Sequence, residues 1–146
     1  PGARVLDLFA GSGALGLEAL SRGAASAVLV ERDRALATAL TRTLARLEGG
    51  DAAQVVNTDA MAWLATDGGD PFDLAFLDPP FAAEMWSTVM PRLTARLAPT
   101  ALLYVESPAD QAPELPADWH LQREGRTREV RYALYRRRPA ATDTLA

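Results

Sequence analysis

Asp78-Pro79-Pro80-Phe81 sets a carboxylate and a stiffened stretch of backbone beside an aromatic ring. Proline fixes φ, so consecutive prolines hold the Asp78 carboxylate and the Pro79 carbonyl as two acceptors directed into one pocket, with the Phe81 face beside them. Two acceptors and a ring suit a planar base whose exocyclic amino group is gripped by both its hydrogens. The bland alternative is a turn that closes a buried strand, with Asp78 capping the next helix and Phe81 in the core. A second pattern, Gly11-Ser12-Gly13-Ala14-Leu15-Gly16, is a G-x-G-x-x-G with Glu31 following at the end of the next strand-like run. Such glycines allow close backbone approach to a ligand, and such an acid binds ribose hydroxyls. The glycines alone would also fit a tight strand-to-helix turn, with Gly16 packing the helix on a sheet. Asp7 lies inside the first strand, where a nicotinamide-binding strand is usually apolar. Carboxylates at Asp7, Glu31, Asp59 and Asp78 make a pyrophosphate unwelcome, whereas S-adenosylmethionine, with its amino and sulfonium groups, tolerates them.

The elements that must position these residues alternate between short β-rich runs and helical ones. Strands are predicted at Val5–Phe9, Ala27–Glu31, Gln54–Thr58, Asp73–Leu77 and Ala101–Glu106. Helices are predicted at Ala14–Ser21, from an Asp33 N-cap to about Leu47, at Ala60–Ala65 and at Glu84–Leu97. Leu36, Leu40, Leu44 and Leu47 share one face of the second helix, and Trp86, Val89, Met90, Leu93 and Leu97 share one face of the last, which Pro91 should kink or restart. Two alternating runs, Trp119–Gly125 and Glu129–Arg137, read as an antiparallel hairpin. The expected fold is therefore α/β: a Rossmann-like, mostly parallel seven-stranded sheet, covered by helices on both faces and ending in that hairpin. Such sheets bind ligands outside the carboxyl ends of their strands, where Ala10–Gly13, Glu31, Asp59, Asp78–Phe81 and Glu106–Ser107 fall.

Composition bounds the remaining possibilities. The 146 residues fit one domain, expected at residues 1–138, followed by a disordered tail at 139–146. Without cysteine there is no disulfide scaffold, thiolate metal site or cysteine nucleophile. No apolar run is long enough to span a bilayer. All 15 cationic side chains are Arg. Residues 1–122 hold 8 Arg against 16 acids, whereas residues 123–138 hold 7 Arg against Glu124 and Glu129. An acidic protein is a poor generic binder of nucleic acid, but this basic run keeps that option open, either as phosphate contacts or as a solvated edge that deters strand pairing. The chain opens at Pro1 and enters a strand almost at once, as a domain of a longer protein would.

The run from Val5 to Ala24, together with Val30-Glu31, Asn57-Thr58-Asp59-Ala60, Asp78-Pro79-Pro80-Phe81 and Leu103-Tyr104-Val105-Glu106, resembles the bacterial RsmD family across roughly residues 3–137. These are small-subunit ribosomal RNA guanine-N(2) methyltransferases dependent on S-adenosylmethionine. The resemblance implies that Phe9, Ala10, Gly11, Ser12 and Gly13 wrap the methionine part of the cofactor, supported by Asp7. It implies that Glu31 holds the ribose, that Arg32 lies against the adenine, and that Asp59 and the Ala60 backbone meet the adenine amino group. Asp78 and Pro79, stiffened by Pro80, would hold the target amine while Phe81 stacks on a flipped guanine. The implied partner is ribosomal RNA or an assembling small subunit, met by a cytoplasmic monomer without metal. The family usually carries a further N-terminal segment.

Rival readings are an amino-methylating enzyme acting on adenine, a nicotinamide-dependent reductase, and an RNA-binding module without turnover. The intact Asp78–Phe81 motif argues against the last. The absence of Lys removes the Tyr–Lys pair that such a reductase would use. His120, beside Trp119, reads as structural or exposed rather than catalytic.

Overall fold

A computed structural model of the chain describes residues 2–11, 13–66, 69–78, 83–110 and 115–138, with the backbone course alone for 83–87. In chain order the elements are β1 (Arg4–Asp7), α1 (Ala14–Ser21), β2 (Ser26–Val30), α2 (Arg34–Arg46), a 3-10 turn (Gly50–Ala52), β3 (Ala53–Val56), α3 (Ala60–Leu64), β4 (Phe72–Leu77), α4 (Ala83–Thr94), β5 (Leu97–Pro108), β6 (Trp119–Arg126) and β7 (Val130–Arg137). The strands form a seven-stranded sheet in the order β3-β2-β1-β4-β5-β7-β6. Strands β1 to β5 pair in parallel, and β7 runs antiparallel between β5 and β6. The mostly parallel sheet with a C-terminal hairpin is as the sequence pattern requires.

Alternation along each strand sends successive side chains to opposite faces, and helices bury both. Val5, Ala27, Leu29 and Phe76 pack with Leu40 and Leu44 of α2 and with partly buried α1 residues such as Leu17 and Leu20. On the other face Leu6, Val30, Ala75, Leu77, Leu103 and Val105 pack with Trp63 and Leu64 of α3 and with Val89, Met90 and Leu93 of α4. The chain steps outward from β1 to β3, then returns to lay β4 on the opposite side of β1. Strand order thus reverses between β1 and β4, which opens a crevice at their carboxyl ends.

Several boundaries differ from the sequence pattern. Strand β1 stops at Asp7, and Leu8 and Phe9 enter a turn. Helix α4 runs through Pro91 but ends at Thr94, so Leu97 belongs to β5, where it pairs with Phe72. That strand starts before Ala101 and takes up a register shift against β4 between Phe72 and Leu74. In α2 the buried positions are Ala37, Leu40 and Leu44, whereas Leu36 and Leu47 are exposed. The expected tail at 139–146, like Asp67-Gly68, lies outside the described residues, as does the Trp86 side chain.

Candidate active site at the carboxyl edge of the sheet

The turn from β1 to α1 is shaped by two glycines in the left-handed region, Gly11 at φ 56° and Gly13 at φ 79°. L side chains rarely adopt that conformation. Space adds a second constraint at Gly13, where a Cβ would lie 2.3 Å from Leu40 Cδ2 of α2. Gly16 has an ordinary conformation, yet a Cβ there would meet Leu29 Cδ2 at 2.3 Å. Its role is the one expected of a packing glycine, close approach of α1 to the sheet. Among the described residues no side chain caps the start of α1, whose N-cap is Gly13.

Glu31 follows β2 and spans the mouth of this turn. Its Oε1 accepts the Gly11 amide N–H at 2.8 Å and its Oε2 accepts the Asp33 N–H at 2.7 Å. Each carboxylate oxygen has a second lone pair, so both remain able to accept from ligand hydroxyls. Asn57 secures the same corner, donating through Nδ2 to the carbonyls of Glu31 at 2.9 Å and Arg32 at 3.0 Å. No role was read for Asn57 in the sequence; its place at the end of the strand beside Glu31 was the available signal. The Arg32 side chain is exposed. Asp59 caps α3, its Oδ2 accepting from Met61 N–H at 3.1 Å and Ala62 N–H at 3.3 Å, while Ala60 is buried beneath it.

Asp7 is 3% exposed, and its Oδ2 makes no hydrogen bond among the described residues. Burial pushes its carboxyl up to about 7, the amides of Gly16 and Phe9 only partly oppose this, and the Asp78 and Glu31 carboxylates add to it. Asp78 comes directly after β4, on the far side of the crevice. Its side chain is exposed at the edge, and partial desolvation at its base, then the neighbouring Glu106 carboxylate, raises its pKa above the usual carboxylate range. Tyr104 of β5 donates its hydroxyl to Glu106 Oε2 at 3.2 Å. Burial, then Glu106, pushes that phenol up to about 12, so it stays a donor at any working pH. The crevice therefore brings together Phe9, Ala10, Gly11, Gly13 and Asp7 with Glu31 on one side and Asp78 on the other. Ser12, Pro79, Pro80 and Phe81 lie outside the described residues.

Residues 1–136 match the model of the family described as conserved hypothetical protein 95. Ribosomal RNA small subunit methyltransferase D of Escherichia coli (strain K12) is 48% identical over 138 residues, which are 92% of this chain and 69% of that protein. The protein of the same name from Haemophilus influenzae is 39% identical over 134 residues, 89% of this chain and 69% of its own length. The chain belongs to the RsmD family. The solved structure of the Escherichia coli methyltransferase yhhF superposes with a TM-score of 0.86 at 47% identity, covering 94% of this chain and 78% of that one. An RsmD-family chain is a methyltransferase, and the reductase reading falls with that finding.

The basic run is where the structure corrects the sequence most. Arg131 is 5% exposed; it pairs with Glu124 and donates to Tyr135 Oη at 3.0 Å. Arg137 pairs with Asp118 at 3.1 Å and donates to the carbonyl of Leu97 at 3.2 Å, and Arg136 donates to that of Thr100 at 3.0 Å. Arg136 and Arg137 tie the hairpin to β5 and its approach, whereas Arg131 is held within the hairpin itself. Arg123, Arg126, Arg128 and Arg138 are exposed, and so is His120.

Proposed function

We propose that this RsmD-family chain transfers a methyl group from S-adenosylmethionine to the exocyclic N(2) amine of a guanine in small-subunit ribosomal RNA. The observation that carries the reading is the placing of Asp78 at the carboxyl end of β4, across the strand-order reversal from a glycine turn tied to Glu31. The names of the relatives support ribosomal RNA as the substrate class.

The crevice suits this cofactor. A buried carboxyl oxygen without a partner among the described residues, Asp7 Oδ2, calls for a donor or a cation, and the surrounding carboxylates repel a pyrophosphate. Phe9 to Gly13, Ser12 included, would hold the methionine part, Glu31 the ribose, Arg32 one face of the adenine, and Asp59 with the Ala60 backbone its amino group. Bound there, S-adenosylmethionine supplies an electrophilic sulfonium methyl.

The chain's own residues then hold the amine. A guanine N(2) lone pair is delocalised into the ring. Acceptors on both its hydrogens, Asp78 and the Pro79 carbonyl, favour the pyramidal geometry that frees the pair. Phe81 stacks on the base and excludes water. Positioning and electrostatics supply most of the acceleration. Asp78 is useful in its ionised form, and donors from the substrate counter the partial desolvation and the Glu106 charge that raise its pKa.

The partner is ribosomal RNA or an assembling small subunit, met in the cytoplasm by a monomer. Among the described residues no helix is long and apolar enough to cross a membrane, and no three His, Asp or Glu side chains gather as a metal would require. The deciding experiment is mass analysis of ribosomal RNA nucleosides from cells lacking the gene, with and without complementation. Loss and recovery of one N(2)-methylguanosine is the expected result. Loss of a methyladenosine instead would move the target to adenine.

A further inference from the structure

The β4–β5 register pairs Leu77 with Val105, so Asp78, the first residue after β4, lies beside Glu106 of β5 at the carboxyl edge, near enough for the two carboxylates to act on each other. Each lies two residues beyond an aromatic on the same sheet face, Phe76 and Tyr104, whose rings meet edge-on with centroids 5.7 Å apart. That contact fixes the Tyr104 ring, and its hydroxyl fixes Glu106 by donating to Oε2 at 3.2 Å. Glu106 is half-buried and makes no further hydrogen bond among the described residues, so Oε1 keeps its acceptor capacity at the crevice. Behind them the buried Asp7 Oδ2 is a further carboxyl oxygen without a hydrogen-bond partner among the described residues. Among those residues the pocket edge is therefore rich in carboxylates and short of donors.

We propose that Glu106 selects guanine by accepting the N1–H of the flipped base while Asp78 accepts from the neighbouring N(2) amine, with Tyr104 as the positioning residue. The inference rests on the guanine reading above and adds to it the side chain that reads the base. Guanine presents N1–H and the N(2) amine as adjacent donors on its Watson–Crick edge. Adenine presents N1 as an acceptor there, and a carboxylate facing it leaves two lone-pair groups desolvated against each other. A site built to take a substrate N–H rejects analogues lacking it far more strongly than a hydrophobic pocket rejects a change of size.

The test uses 2-aminopurine, which keeps the 2-amino group but carries an acceptor at N1. Methyl transfer by the intact enzyme is measured on small-subunit RNA with guanine or 2-aminopurine at the target position, with S-adenosylmethionine affinity as the control for folding. The wild type should favour guanine by about 10²-fold or more. Glu106→Gln, whose amide oxygen takes the Tyr104 hydroxyl and turns its Nε2 donor toward N1, should weaken guanine transfer, gain 2-aminopurine transfer and narrow the ratio at least tenfold, with cofactor affinity unchanged. Tyr104→Phe should narrow it by a smaller factor. Asp78→Asn should slow both substrates alike, because both carry the amine. A ratio left unchanged by Glu106→Gln, in an enzyme that methylates guanine, overturns this inference alone. A wild type that methylates adenine and neither of these bases overturns the functional reading and this inference with it.

Discussion

Glu31 Oε1 accepts the Gly11 amide at 2.8 Å, joining the glycine turn after β1 to the end of the second strand across twenty residues of chain. The residue to which a ribose is assigned thus also holds the glycine turn in shape. The proposed ribose contact and the shape of the turn would then share one carboxylate.

Replacing Glu31 should therefore cost twice. Glu31→Ala is expected to weaken S-adenosylmethionine binding by about 1–3 kcal/mol, the loss of a charged acceptor, and to lower the melting temperature of the unliganded protein as well. Glu31→Gln keeps one acceptor oxygen and should fall between. Arg128→Ala, in the exposed β6–β7 turn, should change neither quantity. Calorimetry and thermal melts of the three variants decide the matter, and equal losses in Glu31→Ala and Arg128→Ala would mean that the cofactor sits elsewhere.

Asp78 is assigned to the target amine rather than to the cofactor. Asp78→Ala should leave S-adenosylmethionine affinity within about threefold and reduce single-turnover methyl transfer to ribosomal RNA by about 10²–10⁴, typical of losing a positioned transition-state contact. Asp78→Asn should be milder, since its amide oxygen still accepts one hydrogen bond. Near-normal transfer by Asp78→Ala would reduce the motif to a structural turn.

Asp7 makes stability depend on pH in the direction opposite to a salt-bridged acid. Its folded pKa is raised to about 7 from 3.8, so between these values the folded protein holds a proton that the unfolded chain has released. Stability conferred by that proton is present at the acid end of the window and is lost as pH rises to about 7. Asp7→Asn removes the ionisation. It should stabilise the unliganded protein at pH 8 more than at pH 5, by on the order of 2 kcal/mol, while weakening cofactor binding. Chemical denaturation at the two pH values tests the sign. A benefit larger at pH 5 would show that burial does not govern this carboxyl.

Two glycines of the turn should respond differently to alanine. Both Gly11 and Gly13 have positive φ, but a Cβ at Gly11 meets nothing within 4 Å, while one at Gly13 collides with Leu40, itself 2% exposed. Gly11→Ala should cost about 1–2 kcal/mol in backbone strain, and Gly13→Ala about 1–3 kcal/mol more through overpacking against α2. Denaturation midpoints that coincide would show that Leu40 yields without cost.

Local signals carried much of this protein in the sequence itself. The Asp33 cap, the glycine turn and the alternation of strands with helices depend on interactions within a few residues, which residue type and spacing can specify. Asp33 does accept the Leu36 amide at 3.1 Å. The acids at strand ends were legible for a related reason: a parallel sheet collects the ends of its strands at one edge, whatever the register.

What depended on register and packing was decided only by the tertiary structure. Asp78 and Glu106 are neighbours because β4 and β5 align Leu77 with Val105, a choice that no local pattern encodes. Arg131 and Arg128 are equivalent as members of a basic run, yet pairing with β5 and β6 buries Arg131 between Glu124 and Tyr135 and leaves Arg128 in solvent. The Asp7 carboxyl looks like any acid in a strand until helix α1, drawn close by Gly16, removes its water. Burial, long-range pairing and the pKa shifts that follow are sums over residues distant in the chain, and the folded arrangement is what performs those sums.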